Sequence, residues 1–155
     1  MGLVTLNSPK GKLLRNPSEP VDDIASQVSP FIEEAISIIA RVDGIGLAAP
    51  QMGVMRRWYV DKLGKVYINP EITESSDVMS ITEGCLSLPD RWYLSERASN
   101  LTLKFTSIDG DEETLDFSGT SAYMVQHEVD HLNGILVSDH AERLYKDDFS
   151  SMGIE

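Results

Sequence analysis

The segment His127-Glu128-Val129-Asp130-His131 constrains this chain more than any other. Its two histidines are four residues apart, so on an α-helix they lie on one face, one turn from each other, and both imidazoles can reach a single ion. Met124, Val125, Val129 and Leu132 surround the pair. The helix is therefore at least half buried, and buried imidazoles need partners. Glu128, beside the first histidine, suits a general base for a water that the ion makes acidic. The plainer alternative, a helix carrying His and Glu on a wet face, fits poorly with those apolar neighbours.

Two histidines do not complete a catalytic site, which usually takes three protein ligands and keeps one position open. Downstream, the chain offers Asp139, His140 and Glu142. None matches the extended metzincin pattern, which needs Gly and His at set distances beyond the second histidine. His140 fits a solvated surface role. Upstream stands Cys85, in Glu83-Gly84-Cys85-Leu86-Ser87, where glycine lets the backbone approach an ion or substrate closely. Cys85 is the better third ligand, although the commonest role of a lone cysteine is a small buried hydrophobe. As the only cysteine it can form no intramolecular disulfide, which suits a reducing compartment.

The pattern around these segments predicts the fold class. Residues 1–20 carry Pro9, Gly11, Pro17 and Pro20 and read as an irregular arm crossing the surface. A helix should follow, capped by Ser29, with Pro30 at its first position and Glu33 and Glu34 at the positive end of its dipole. Phe31, Ile32, Ala35, Ile36, Ile39 and Val42 form its apolar stripe, and Asp43-Gly44 ends it. Arg57–Val60 and Lys65–Ile68 read as a hairpin, and so do Leu101–Phe105 and Glu113–Phe117 about the turn Asp109-Gly110-Asp111. A second helix should run from Ser121 to Asn133, stopped by Gly134. Helix, several strands, helix argues for an α+β domain rather than alternating βαβ units. No repeat or linker divides the 155 residues, so residues 1–155 are expected to form one domain, with antiparallel strands packed around a central metal-binding helix.

A third segment, Gly44-Ile45-Gly46-Leu47-Ala48-Ala49-Pro50-Gln51, follows the first helix. It lacks the third glycine and the preceding strand of a dinucleotide loop. Taken together, Gly44–Gln51, Glu83–Ser87 and Gln126–His131 resemble the three signature motifs of peptide deformylases, in order, in approximate spacing and in almost every residue. The resemblance covers most of the chain.

The resemblance implies a metallo-hydrolase that removes the N-formyl group from formyl-methionine at the start of nascent polypeptides and releases formate. Cys85, His127 and His131 would hold one divalent ion, typically ferrous in the family, with zinc or nickel tolerated; a thiolate ligand suits all three. Glu128 would be the general base, later donating a proton to the leaving amine. Gln51 and the Leu86 N–H would stabilise the oxyanion. Backbone around Ile45 and Gly46, facing Gly84, could pair with the substrate main chain as an added strand. Ile45, Tyr123 and Met124 are candidates for the methionine pocket. Glu83 is expected to be structural, paired with Arg97.

The remaining expectations concern partners and location. A net charge of −12 argues against a general nucleic-acid site or an anionic membrane surface. No apolar run could span a bilayer and no signal pattern opens the chain, so a cytoplasmic enzyme is expected, in a bacterium or in the host of a phage. Bacterial members often end in a longer C-terminal helix, in some cases a basic one that engages the ribosome. Here Asp147–Gly153 is acidic and a poor helix, which leaves at most a transient ribosome contact and resembles the short members carried by bacteriophages. The rivals are a zinc peptidase cutting internal bonds and a non-catalytic metal-binding protein.

Overall fold

The computed structural model describes residues 2–145. The acidic segment Asp147–Gly153, read above as a poor helix, lies outside the described residues. One sheet carries the architecture. Strands β1 (Gly46–Ala48), β2 (Trp58–Asp61), β3 (Val66–Cys85), β4 (Leu88–Thr106) and β5 (Glu112–Ser118) pair antiparallel in chain order, and β6 (Glu142–Leu144) pairs with β4. The helices are α1 (Ile24–Gln27), α2 (Ile32–Val42) and α3 (Thr120–Leu132). This is the expected α+β arrangement.

Both expected hairpins form. In the first, the Asp61 carboxylate accepts the N–H groups of Leu63 and Lys65 and so closes the turn between β2 and β3. In the second, Leu103 faces Leu115 across the β4–β5 ladder. Along β4, Leu101, Leu103 and Phe105 are buried while Thr102 and Lys104 turn outward, the period-two alternation of a half-buried strand. The β3–β4 ribbon is longer than its local patterns reveal. Its polar stretch from Glu74 to Asp77 is exposed and has no core face to mark it.

Helix α3 lies inside the molecule. Ala122, Val125, Val129 and Leu132 pack with Ala48, Tyr59, Tyr67, Leu101, Leu103 and Phe105, while His127, Glu128 and His131 are buried on its remaining faces. Its C-terminal end is tied down: the Leu132 carbonyl accepts bonds from the Arg57 guanidinium at 2.8 Å and the Ser18 N–H at 2.9 Å. Gly134 follows with φ +74°, and a Cβ there would stand 2.7 Å from the Arg15 backbone, so the position requires glycine twice over.

The N-terminal arm is irregular and mostly exposed, as expected, but it is anchored at a few points. Val4 and Leu14 are buried with Cys85, Leu88, Leu136 and Val137, and the Val4 N–H donates to the Gln51 carbonyl at 2.6 Å. Its apolar residues are too sparse to show a period, yet each fills a separate gap. In α2, residues Ser29–Phe31 form a 3₁₀ turn with no side-chain cap, and the α-helix starts at Ile32. Ile38 is buried whereas Ile36 and Val42 are exposed, and Asp43 rather than Gly44 takes the left-handed position that ends the helix.

Candidate metal centre

Two elements bring the donor atoms together. Cys85 closes β3 just before the Leu86–Ser87 turn, and α3 supplies His127 and His131 one turn apart. The ligand atoms of the three residues all lie within 4.8 Å of one another, and all three residues are buried. Cys85 Sγ stands 3.2 Å from His131 Nε2. The other acidic or histidine candidates are elsewhere. Asp139 pairs with Arg15 at 2.5 Å, His140 lies 3.6 Å from Asp130, and Glu142 is on β6.

Behind His127 runs a chain of buried polar groups. Its Nδ1 is 2.8 Å from Glu83 Oε1. An ionised carboxylate only accepts, so the proton sits on Nδ1 and directs Nε2 toward the other ligands. Glu83 is fully buried and is paired with Arg97, as expected from sequence, through Nε at 2.9 Å and Nη2 at 2.6 Å. Ser95 donates its hydroxyl to the same carboxylate, and Arg97 Nη1 reaches Asp130 at 2.6 Å. Burial alone would push the Glu83 carboxyl up; the bonds from Arg97, His127 and Ser95 outweigh it and hold the group well below the usual carboxylate range. Ser95 and Asp130 carry no sequence signal for these roles, because their positions depend on strand register.

The ligands are matched in charge. Burial raises the Cys85 thiol, but His131 and His127 overcome that and bring it down to about 5. Burial lowers His127, yet its contacts with Cys85 and Glu83 raise it to about 10. A divalent ion binding here would therefore release a proton.

Glu128 lies beside this cluster and faces a cavity of about 560 Å³. Burial raises its carboxyl above the ordinary value, against the pull of His127 and His131. Its Oε2 is buried and has no hydrogen-bond partner among the described residues, and neither has His131 Nδ1. The same cavity is lined by Cys85, His127, Gln51 and Leu86, and by all five residues read as substrate-binding, Ile45, Gly46, Gly84, Tyr123 and Met124. Gln51 is fixed by its own neighbours. Its Oε1 accepts the Ala48 N–H at 3.0 Å, so Nε2 points to Ser87 Oγ at 3.2 Å and Cys85 Sγ at 3.9 Å. Ser87 in turn donates to the Val4 carbonyl at 2.6 Å, which makes the N-terminal arm part of the site's support. Sequence reasoning missed Ser87, Leu3, Thr5 and Trp92, the last three of which also line the cavity.

A divalent ion fits this donor set: one thiolate, two imidazoles, a buried carboxylate with an unpartnered oxygen, and a cavity leading to them. Known proteins identify the family. A family model, polypeptide deformylase, matches residues 2–147. The chain is 39% identical over 145 residues to peptide deformylase 1 of Clostridium perfringens, spanning 90% of this chain and 99% of that one. It superposes on the crystal structure of peptide deformylase from Thermotoga maritima with a TM-score of 0.82 and 34% identity, over 89% of this chain and 95% of that one. A probable peptide deformylase from synechococcus phage S-SSM7 gives a TM-score of 0.81 at 32% identity, over 90% and 99% of the two chains.

Proposed function

Because the chain belongs to the polypeptide deformylase family, whose members are metal-dependent enzymes that remove N-formyl groups from nascent peptides, we propose that it hydrolyses the formyl group of N-terminal formyl-methionine and releases formate. The observation that carries the reading is the meeting of Cys85, His127 and His131 next to a cavity that Cys85, His127 and Glu128 line. These three residues would hold the ion, with ferrous iron the expected native metal and zinc or nickel as alternatives. When bound there, such an ion supplies Lewis acidity to a carbonyl oxygen and makes a water acidic near neutral pH.

The chain's own residues account for the rest. The Glu128 carboxylate takes a proton from the attacking water as its oxygen adds to the formyl carbon. With its affinity for protons raised by burial, Glu128 then gives that proton to the amine as the C–N bond breaks. Gln51 Nε2 and the Leu86 N–H are the donors for the oxyanion. The Ile45 carbonyl accepts from Lys62 N–H and the Ala48 N–H turns to Gln51. By strand alternation the Gly46 N–H and C=O point away from β2, free to pair with an extended peptide. Tyr123, Met124 and Ile45 form the apolar wall for the methionine side chain.

Residues 1–155 act in this reading as one catalytic unit, on N-formylmethionyl peptides in the cytoplasm of a bacterium or a phage host, with at most transient ribosome contact. No helix among the described residues is long and apolar enough to cross a membrane. The test offers ferrous-loaded protein a formyl-Met dipeptide beside an unblocked peptide. Formate from the first and no cutting of the second is expected. Backbone cleavage of the unblocked peptide without formate would overturn the reading.

A further inference from the structure

Trp92 is a large aromatic side chain left 48% exposed, and it is the one exposed aromatic among the described residues that lines the catalytic cavity. Its placement is built rather than incidental. Trp92 stands directly opposite Gly84 in the β3–β4 ladder. Its ring lies over the Gly84 Cα: a Cβ on Gly84 would meet three ring carbons at 3.0, 3.1 and 3.4 Å. Gly84 is thus glycine at a position where the indole covers the backbone beside the ligand Cys85. Exposing a tryptophan leaves apolar area in water, which burial against a ligand would recover.

Strand geometry says which part of a peptide it would meet. Glu83 and Cys85 turn toward α3, where they meet His127 and His131. Gly84, between them, faces the Trp92 ring instead, and directly paired residues share a face, so Trp92 stands on the other face of the ribbon from Glu83 and Cys85. A peptide extended along Gly46 and Gly84 alternates in the same way. With its methionine side chain turned to Tyr123 and Met124 on α3, the side chain of its second residue turns to the side of Trp92. The rim nearby carries Asp43, Asp90 and Arg91, charges of both signs, and the exposed Val42 and Ile45. That rim has no dominant charge to select by, and apolar contact is what it offers.

We propose that Trp92 is a specificity-determining residue for the second residue of the formyl-peptide, favouring aromatic and large aliphatic side chains by stacking and apolar contact. The proposal rests on the deformylase reading above. It is tested by kcat/KM for formyl-Met-Phe-amide and formyl-Met-Gly-amide with metal-loaded wild type, Trp92→Ala and Trp92→Phe. The wild type is expected to prefer the Phe peptide roughly tenfold, the scale of one aromatic contact plus its buried area. Trp92→Ala should reduce that preference to twofold or less, and Trp92→Phe should keep most of it. A purely structural role would lower both rates by one factor and leave the ratio. An unchanged ratio in Trp92→Ala, or no preference in the wild type, overturns the proposal. Absence of formate from both peptides would instead overturn the deformylase reading, and the proposal with it. A second measurement needs no variant. Trp58 is fully buried, so acrylamide quenching of the wild type reports Trp92, and the product Met-Phe should protect it where Met-Gly does not. Equal quenching with both would contradict the assignment.

Discussion

The side of His127 that faces the β3–β4 ribbon and the side that faces the cavity treat buried polar groups in opposite ways. Toward the ribbon, Glu83 of β3 is bonded to His127 and to Ser95 and Arg97 of β4, and Arg97 passes on to Asp130. Toward the cavity, Glu128 Oε2 is buried with no partner among the described residues. Buried polar atoms are normally paired, because an unpaired one costs about 1–3 kcal/mol. The paired side is a scaffold that fixes an imidazole; the unpaired side is where the proposed chemistry would take place. One helix, α3, carries both.

If that division is right, changes on the two sides should separate rate from stability. The largest effect belongs to the cavity side. Glu128→Ala should lower formate release roughly 10²–10⁴-fold, the usual worth of general acid–base help, while the unfolding free energy stays near or above that of the wild type. On the paired side, Arg97→Ala leaves the Glu83 carboxylate buried without its main partner. It should cost about 3–5 kcal/mol in denaturant unfolding, and an unchanged midpoint would dissolve the distinction. Glu83→Gln should keep the fold better but weaken metal binding about 10–100-fold, since the group that orients His127 loses its charge; competition with a chelator measures this.

The same carboxyl gives a pH signature. Its affinity for protons is depressed in the folded state, so it contributes its full stability above the ordinary carboxylate range. That contribution is lost as pH falls through and below that range. Thermal midpoints from pH 7 into acid should fall less steeply in Glu83→Gln than in the wild type. The smallest effect is outside both regions: Arg15→Ala, which removes a half-exposed pair with Asp139, should cost less than about 1 kcal/mol.

The sequence exposed what is local and hid what depends on register. His127 and His131 could be read as a pair because helical spacing alone puts them on one face. The two hairpins were legible from β-branched residues about polar turns. Cys85 could be singled out by its glycine-flanked segment, but only the fold sets its Sγ beside His131. Glu83 and Arg97 were paired correctly because they flank the same motif. Ser95 and Asp130 were not found, since nothing near them in sequence marks an approach that the β3–β4 ladder and α3 create together. The anchoring of the arm was hidden for a related reason. Val4 and Leu14 make long-range contacts with Leu88, Leu136 and Val137, and no periodicity announces such contacts. Trp92 was invisible as a cavity residue until Gly84 was seen opposite it.

The central claim is that Cys85, His127 and His131 hold the ion and that Glu128 stands beside it without being a ligand. Metal-to-protein ratios of anaerobically purified wild type and Glu128→Ala test this most directly. Close to one equivalent of divalent metal is expected in both proteins. A wild type without bound metal, or a Glu128→Ala protein that has lost it, would contradict the assignment.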